Sequence, residues 1–441
     1  MHMTPEYTNK GKGENMNSIK HLITEISNGN FDNRINEVYV DSTLTEYHRT
    51  RYVAALEKFI ELFGEKEVEI YSAPGRSEVC GNHTDHQHGH VLATSINLDA
   101  IAVVAPTDDN KVRLVSGDFP MIEMDLNDVD KREEELETTD ALIRGVADGL
   151  KKKGCKIGGF ETYITSDVLM GAGMSSSAAF ESLIGTIISG LYNDGKVSSV
   201  DIAKIGQYAE NVYFGKPCGL MDQMACSVGG LIYIDFADKE NPVIEQVPCD
   251  FEAHKYSLCI VDTKGSHADL TDDYAAIPVE MKKVAECFGK EFLREVEPAQ
   301  FYADIAKARE AAGDRSVLRA MHFFTEQERV TEGVNALKND DFDAFLDVIK
   351  RSGDSSSKLL QNIYSPKDVN TQNVTVALAA SEYALKDNGV CRIHGGGFAG
   401  TIQAFVKNEA VNDYKNYIES VFGEGSCHVL KVRPYGGIKV C

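Results

Sequence analysis

Apolar residues recur along the chain at two spacings, one typical of strands and the other typical of helices. Residues 160–167 have strand composition with rough alternation, and the apolar residues of 180–191 recur every three or four positions, as on one face of a helix. This succession of element types predicts a mixed α/β (α+β) fold. The same criteria predict further strands at 68–71, 97–105 and 111–116 and a helix at 140–153.

The pattern changes near residue 245, after which helices dominate. With 441 residues the chain is longer than one ordinary domain. We therefore predict an N-terminal lobe of residues 51–245 and a C-terminal lobe of residues 246–441, with the active site in the cleft between the lobes. Residues 1–50 are expected to form an extension that is disordered at first and then helical. In the second lobe the pattern predicts helices over 274–386 and strands at 256–262, 401–406, 427–432 and 437–440.

A glycine- and serine-rich loop lies between the predicted strand at 160–167 and the helix that follows it. Residues 168–179 read Val-Leu-Met-Gly-Ala-Gly-Met-Ser-Ser-Ser-Ala-Ala. Small residues let the backbone approach a ligand, and the free N–H groups and dipole of a helix N-terminus attract anions. We interpret this glycine–serine loop as a phosphate site. It is not a Walker A motif, because no Gly-Lys-Ser/Thr follows the glycines. A turn that caps an ordinary helix is the alternative.

Composition and charge narrow the range of partners. The formal net charge is −23, which opposes nonspecific binding to nucleic acid or to an anionic membrane. The first residues lack the apolar core of a signal peptide, and no apolar run approaches the roughly 20 residues of a membrane span. None of the ten cysteines forms a CxxC pair. We expect a cytoplasmic protein with reduced thiols that acts on small molecules.

Charged side chains in separate segments together indicate phosphoryl transfer. Arg76 and Asp85 flank a polar stretch near the N-terminus, and Glu210 and Asp222 follow the glycine–serine loop. These residues supply a cation, a carboxylate for Mg²⁺ and a candidate base around a phosphate site. In phosphoryl transfer, positioning and charge neutralisation provide most of the catalysis.

Two other motifs carry weaker hypotheses. A cluster of histidines with Asp85 raises the hypothesis of a metal site, but the histidines crowd too closely for tetrahedral coordination. Residues 395–400 match GxGxxG, yet they open a predicted strand and not a helix, so a dinucleotide site is not supported. A glycine turn that supports a neighbouring loop is the favoured interpretation. The histidines are His83, His86, His88 and His90.

Five motifs stand in a fixed order along the chain. They are residues 73–76 (Ala-Pro-Gly-Arg), 83–85 (His-Thr-Asp), 171–178 (Gly-Ala-Gly-Met-Ser-Ser-Ser-Ala), 217–223 (Pro-Cys-Gly-Leu-Met-Asp-Gln) and 395–400 (Gly-Gly-Gly-Phe-Ala-Gly). In this order they resemble the galactokinases of the GHMP kinase superfamily, and the resemblance covers the chain from about residue 55 to its end. It implies a two-lobed kinase fold with the active site between the lobes.

The resemblance also implies a reaction and a role for each matching residue. Asp222 would accept the proton of the anomeric hydroxyl of galactose, or stabilise it, while Arg76 would neutralise charge at the transfer point. Ser177 and Glu210 match the positions that bind Mg²⁺, the implied cofactor. ATP would give galactose 1-phosphate and ADP. The implied ATP-binding residues are Ser116, Gly171, Ala172, Gly173, Met174, Ser175, Ser176 and Ser177. The implied sugar-binding residues are Asn82, His83, Thr84, Asp85 and Tyr274.

Two departures from the family pattern concern the choice of sugar. The family usually has glutamate where this chain has Asn82, and the stretch after Tyr274 lacks the usual pair of arginines. We expect Asn82 at the C6 end of the sugar, where an amide repels a C6 carboxylate less than glutamate would. Galactose is the expected main substrate. The alternatives are a kinase for a related sugar such as galacturonic acid and a noncatalytic sugar sensor. The oligomeric state stays open, with a monomer favoured.

Overall fold

The computed structural model describes residues 17–169, 173–265 and 270–441, and these form two β-sheets with helices on both faces of each. The strands are β1 (Asn17–Ser18), β2 (Glu67–Cys80), β3 (His90–Pro106), β4 (Lys111–Ser116), β5 (Ile122–Asp125), β6 (Phe160–Ser166), β7 (Leu231–Asp235), β8 (Val243–Gln246), β9 (Tyr256–Asp262), β10 (Gly389–Ile393), β11 (Thr401–Lys407), β12 (Cys427–Leu430) and β13 (Ile438–Lys439).

The helices alternate with strands in the first half of the chain and dominate the second half. They are α1 (Ile19–Ser27), α2 (Asp32–Tyr39), α3 (Thr45–Phe63), α4 (Thr139–Lys152), α5 (Ser176–Asn193), α6 (Ser199–Tyr208), α7 (Met221–Val228), α8 (Thr271–Cys287), α9 (Pro298–Ala303), α10 (Ile305–Ala312), α11 (Asp314–Lys338), α12 (Phe342–Ser355), α13 (Asn373–Leu385) and α14 (Val411–Phe422). The described part of the chain contains no helix that is both long and apolar enough to cross a membrane.

The first sheet is built around β2 and β3, two long strands that pair antiparallel. Because successive side chains of a strand point to opposite faces, β2 and β3 contribute to two separate cores. One core lies under α4 and α5, and the other lies under α1, α2 and α3. Strand β4 runs parallel to β6, so the carboxyl ends of both strands meet at one edge of the sheet. The glycine–serine loop follows β6 at this edge.

The second sheet has the strand order β10-β11-β9-β12 and is antiparallel throughout. Helices α13 and α14 cover one face. The other face shares a core with α11, α12 and side chains of the first sheet, including Val79 and Leu92. The last strand, β13, returns to the first sheet and pairs with β2.

The mixed α/β fold predicted from the sequence is confirmed. The boundaries at residues 50 and 245 stay predictions. Residues 73–80 differ from the sequence analysis, which ended the strand at 71 and interpreted the following polar residues as a loop. In the structure β2 continues to Cys80, with irregular register against β3 between Pro74 and Arg76. Such an irregularity bends a strand and redirects a side chain, so a polar segment can stay within the sheet.

Candidate active site

Arg76 and Asp222 form a bidentate ion pair at the centre of the site. The Nε of Arg76 donates to Oδ1 of Asp222 at 2.7 Å, and its Nη2 donates to Oδ2 at 2.9 Å. The Arg76 side chain is 7% exposed, whereas that of Asp222 is 34% exposed. Arg76 comes from β2, and Asp222 comes from the first turn of α7. The pair therefore presents its carboxylate, and not its guanidinium, to the surroundings.

The ionisation of Asp222 follows from this pairing. Burial alone would raise its pKa, but the charge and hydrogen bonds of Arg76 and a hydrogen bond from Ser175 lower the pKa below its ordinary value. Asp222 is therefore a carboxylate at neutral pH. A fork-shaped guanidinium also fixes the plane of the carboxylate that it pairs with.

The glycine–serine loop is attached to the same pair. The backbone N–H of Arg76 donates to the Met174 carbonyl at 3.2 Å, and its Nη1 donates to the Gly173 carbonyl. The Ser175 hydroxyl donates to Asp222, and α5 begins at the next residue. The free N–H groups at the start of this helix therefore lie beside the ion pair, and the phosphate site assigned to this loop stays a prediction. Gly171 and Ala172, which the sequence analysis assigned to ATP, lie outside the described residues.

Ser177 and Glu210 lie together, as expected for two oxygen ligands of one cation. The Ser177 hydroxyl donates to Oε1 of Glu210 at 3.3 Å, and Gln223 Nε2 donates to Oε2 at 2.8 Å. Lys216 Nζ lies 3.3 Å from the same Oε1. Hydroxyl and carboxylate oxygens suit Mg²⁺, which normally binds one or two carboxylates together with phosphate oxygens. The residues therefore fit the cofactor that the sequence analysis inferred.

Residues 81–90, the histidine-rich loop, connect β2 to β3 on the same side of the molecule. Oγ1 of Thr84 lies 2.9 Å from the Gly81 carbonyl and 2.5 Å from the His90 carbonyl, so this buried residue closes the loop from inside. Asp85 is partly exposed. A Cβ on Gly219 would lie 2.0 Å from Oδ2 of Asp85, so the carboxylate packs directly against the segment that leads to Asp222. Asp85 and Asp222 thus belong to one site.

Asn82 is placed differently from its expected position at the sugar's C6 end. Its side chain is completely buried. Its Nδ2 donates to the Gly395 carbonyl at 2.6 Å and to Glu78 Oε1 at 3.0 Å, while its Oδ1 accepts from Asn362 Nδ2 at 2.8 Å. The amide is therefore bonded within the protein and presents no atom to the cleft in this structure. A sugar contact by Asn82 stays a prediction.

His83 and Tyr274 both reach residues 395–397, which we call the glycine turn. His83 Nε2 lies 2.8 Å from the Gly396 carbonyl, and the Tyr274 hydroxyl donates to the Gly397 carbonyl at 2.7 Å. Burial lowers the pKa of His83 to about 4, so the imidazole is neutral. Since a carbonyl only accepts, Nε2 carries the proton. These two predicted sugar residues thus come together across a large sequence separation.

Ser116 ends β4 at the edge of the sheet where the glycine–serine loop begins. It pairs with Ile164 in the parallel ladder between β4 and β6. In open α/β sheets, ligands bind outside the carboxyl ends of the strands. The placement of Ser116 agrees with the nucleotide role that the sequence analysis gave it, and that role stays a prediction.

The structure adds three side chains that the sequence analysis did not assign. Lys216 and Gln223 contact Glu210. Gln223 directly follows Asp222, and Lys216 directly precedes the motif at 217–223, so position beside that motif was the available signal. His394 precedes the glycine turn. Its Nδ1 lies 2.8 Å from Thr401 Oγ1, and a Cβ on Gly173 would lie 3.5 Å from that nitrogen. Burial and the charge of Arg76 hold the pKa of His394 well below its ordinary value.

The hypothesis of a metal site among the histidines finds no matching cluster in residues 17–169, 173–265 and 270–441. Histidines of this group contact other residues instead, and His83 Nε2 lies 2.8 Å from the Gly396 carbonyl. His88 stacks on Phe292 with ring centroids 3.9 Å apart, and His90 contacts Arg294 and Asp235. Ser177 and Glu210 supply two adjacent oxygen atoms, and phosphate oxygens and water would complete the coordination of a cation held there.

Comparisons with known proteins agree with this geometry. Residues 57–106 match a family model described as the galactokinase galactose-binding signature, and residues 141–230 match the GHMP kinase N-terminal domain. The galactokinase of Streptomyces coelicolor is 31% identical over 381 residues, which cover 85% of this chain and 94% of that protein. The chain belongs to the galactokinase family. A galactokinase of Actinobacillus pleuropneumoniae serotype 3 is 31% identical over 82% of this chain and 92% of its own length.

Solved structures support the same family. The structure of Lactococcus lactis galactokinase complexed with galactose is 27% identical, with a TM-score of 0.74, and the match covers 87% of this chain and 98% of that one. Mevalonate kinase from Methanococcus jannaschii matches with a TM-score of 0.59 at 14% identity, which shows a shared fold only. The predicted GHMP-kinase-like fold and the predicted galactokinase-type phosphotransferase are confirmed.

Proposed function

We propose that this galactokinase-family protein transfers the γ-phosphoryl group of ATP to the anomeric hydroxyl of galactose, giving galactose 1-phosphate and ADP. The observation that carries the proposal is the Arg76–Asp222 pair, bonded to both Gly173 and Ser175 of the glycine–serine loop. It joins a charged acceptor for a hydroxyl proton to the start of an anion-binding helix. The galactose complex of the Lactococcus lactis relative supports the choice of sugar.

Asp222 and Arg76 would act on the reacting oxygen. Asp222 accepts the proton of the anomeric hydroxyl, which is transferred as the oxygen forms its bond to phosphorus. Because its pKa is lowered, Asp222 is a weak base. A weak base takes the proton only once bond formation has acidified the hydroxyl, which suits the loose transition state of phosphoryl transfer. Arg76 keeps the carboxylate ionised and oriented.

ATP would bind with its phosphates at the glycine–serine loop and the N-terminus of α5, through residues 171–177, and with Ser116 at the neighbouring strand end. Ser177 and Glu210 would hold Mg²⁺, which when bound would neutralise charge on the phosphates. Lys216 Nζ lies 3.3 Å from Glu210 Oε1 and its side chain is 63% exposed, so Lys216 would add a positive charge beside the bound phosphates.

The sugar would bind beside Asp222, against the histidine-rich loop. Asp85 is the principal candidate, because it is partly exposed and packs against Gly219. His83 and Tyr274 line the same region, and Thr84 shapes the loop that carries His83 and Asp85. We expect a cytoplasmic enzyme that acts as a monomer on ATP and a sugar, without nucleic-acid or membrane partners. The net charge of −23 supports the last point.

The test is a panel of monosaccharides with ATP and Mg²⁺, followed by ADP release and by ³¹P NMR of the product. Galactose should be the preferred substrate, glucose should react poorly, and the product should be an anomeric phosphate. A protein that phosphorylates galacturonate and ignores galactose would contradict the proposed substrate. A protein that binds galactose without ADP release would contradict the proposed reaction.

A further inference from the structure

Each carbonyl of the glycine turn accepts a hydrogen bond from a side chain outside the turn. Asn82 Nδ2 donates to Gly395 at 2.6 Å, and the Tyr274 hydroxyl donates to Gly397 at 2.7 Å. The carbonyl between them, that of Gly396, accepts from His83 Nε2 at 2.8 Å and from Asn362 Nδ2 at 3.2 Å. The donors come from the histidine-rich loop, from α8 and from the segment after α12. The turn is therefore held from three directions.

The glycine turn has little room to move. A Cβ on Gly396 would lie 2.6 Å from the ring of Tyr274, and one on Gly397 would lie 2.3 Å from the Asn362 carbonyl. The N–H of Phe398 donates to that same carbonyl at 2.5 Å. Only glycine permits this close approach of backbone to side chain. A shift of the turn would therefore move Tyr274 and His83 with it.

Asn82 needs both halves of its amide for these contacts. Its Nδ2 faces two acceptors, the Gly395 carbonyl and Glu78 Oε1, while its Oδ1 faces the donor Asn362. A carboxylate at position 82 would satisfy Asn362 but would repel both acceptors, because it has no hydrogen to donate. Glu78 is itself buried, so a second carboxylate beside it would be strongly disfavoured. The two acceptors and one donor around position 82 therefore favour an amide side chain there, whichever sugar binds.

We propose that Asn82 is a positioning residue, which fixes the glycine turn and through it His83 and Tyr274, and that it does not contact the C6 substituent of the sugar. The inference rests on the proposed sugar site. It explains why this chain has asparagine where glutamate is usual without invoking a different substrate. It also makes Asn362 the functional partner of Asn82, although 280 residues separate them.

The test compares sugars that differ only at C6. Asn82→Asp keeps the shape of the side chain and removes both donated hydrogen bonds. We expect the affinity for galactose and for 6-deoxygalactose, measured by calorimetry, to fall together by about 5- to 100-fold, the range for a buried group left unpaired. The ratio of the two affinities should stay within about twofold of the wild type, since no C6 contact is lost. A ratio that changes about tenfold would overturn the proposal and place Asn82 at C6.

A second pair of variants separates positioning from loss of folded protein. Asn362→Asp should reproduce the loss, with KM for both sugars raised and their ratio unchanged, because it removes the hydrogen bonds that Asn362 donates to Asn82 and to the Gly396 carbonyl of the same turn. A variant that only unfolds in part would lower kcat and leave KM unchanged, and this result would overturn the proposal. Combining Glu78→Gln with Asn82→Asp restores a hydrogen bond between residues 78 and 82 but not the one to Gly395. Full recovery of the sugar affinity in that double variant would show that the hydrogen bond from Asn82 to the glycine turn is not what sustains binding.

Calorimetric binding does not need turnover. A wild type that binds both sugars without phosphorylating them would refute the proposed function, and the affinity ratio of Asn82→Asp would still decide the role of this residue. A wild type that phosphorylates galactose, combined with an altered ratio in Asn82→Asp, would refute only the positioning role.

Discussion

Asp222 shows how a single residue acquires its chemistry from its neighbours. Arg76 holds it through two hydrogen bonds, and Ser175 supplies a third. These bonds lower its pKa despite burial, so its charge is fixed throughout the neutral range. The carboxylate still has 34% of its side-chain surface exposed. It is therefore both permanently charged and accessible, as a proton acceptor in phosphoryl transfer must be.

Asp222→Asn should lower galactose phosphorylation by about 10²- to 10⁴-fold, the usual range for loss of an acid–base group. The amide keeps the shape but neither accepts the proton nor balances Arg76. Binding of a nonhydrolysable ATP analogue should persist, since the start of α5 is unchanged. The matched control is Asp354→Asn, whose side chain is 61% exposed and pairs with Lys350 on the surface. Near-normal turnover in Asp222→Asn would remove Asp222 from the reaction.

At the residue scale, the sequence indicated which residues belong to the site but not where their side chains point. Arg76 and Asp222 could be predicted because their motifs combine charge with small neighbours in a recognisable order. The orientation of the Asn82 side chain could not be predicted, because it depends on Asn362 and Gly395, which lie far away in sequence. His83 has a positive φ of 58°, which turns its side chain toward the glycine turn. The spacing of apolar residues along the sequence does not predict such a backbone conformation.

Among the elements, the end of α6 has the conformation that matters most for the metal site. The helix does not stop at Tyr208 but continues as a π-helical turn over Ala209–Phe214. This turn carries Glu210 and ends at Gly215, whose N–H donates to the Glu210 carbonyl. Short π-helical turns occur frequently at functional sites. The sequence pattern predicts a helix at Glu210, but no spacing rule distinguishes one wide turn from an α-helical one.

Glu210→Gln should raise the Mg²⁺ concentration needed for half-maximal activity by roughly tenfold or more. The amide is a poorer ligand than the carboxylate, which Mg²⁺ prefers together with phosphate oxygens. The measurement is a Mg²⁺ titration at constant free ATP. Glu332→Gln serves as the control, because that side chain is 52% exposed and pairs with Arg351. An unchanged titration would exclude Glu210 as a ligand.

Helix α3 supports the glycine–serine loop from the opposite side of the sheet. Arg51 pairs with Asp99 at 2.6 Å and with Asp167 at 3.0 Å, and Tyr47 donates to Asp167 at 3.0 Å. Asp167 directly follows β6 and precedes the loop. The apolar spacing of Tyr52, Leu56 and Phe59 in the sequence predicts a packing helix here, but the same pattern predicts that an arginine within it faces solvent. Its partners are 48 and 116 residues away, so only the fold shows that it is buried.

Arg51→Met should lower the free energy of unfolding by about 3 kcal/mol, because it leaves Asp99 and Asp167 without one cationic partner in a buried setting. The control is Arg309→Met, which breaks an exposed pair with Asp314 and should leave the free energy of unfolding almost unchanged. Urea unfolding measures both variants. A difference of less than about 1 kcal/mol between them would mean that Arg433, 3.0 Å from Asp99, holds that carboxylate alone.

At the scale of the whole molecule, clusters of buried charged side chains connect segments that are far apart in sequence, and their directional bonds fix the relative positions of these segments. Asp99 binds Arg51 of α3 and Arg433 from near the C-terminus, and its pKa is about 2 because these charges outweigh burial. Glu326 of α11 accepts from the Gly81 N–H at 3.1 Å and pairs with Arg329. Hydrophobic periodicity predicted the elements that meet there. It could not predict the clusters, because charged residues at buried positions contradict the pattern that locates a core.

The buried charge clusters and buried histidines make the free energy of unfolding depend on pH, and the contribution of one of them, His48, can be measured separately. His48 is 2% exposed and stacks on Tyr39 with ring centroids 3.5 Å apart, and burial lowers its pKa to about 4. Between about pH 6.5 and pH 4, His48 is protonated in the unfolded chain but neutral in the folded chain. Because the unfolded state binds this extra proton, His48 lowers the free energy of unfolding progressively as the pH falls to about 4. At pH 5 the effect of one such histidine is about 2 kcal/mol.

The wild-type profile alone would not reveal this effect, because acidification also reduces the net charge of −23 and relieves repulsion. The comparison is therefore between the wild type and His48→Phe, which keeps the stacking on Tyr39 and cannot titrate. Between pH 7.5 and pH 5 the wild type should lose about 2 kcal/mol relative to the variant in urea unfolding. His21→Phe, at an exposed position of α1, should follow the wild type. If His48→Phe follows it too, His48 is protonated equally in the folded and unfolded chain, and its burial does not control the acid stability.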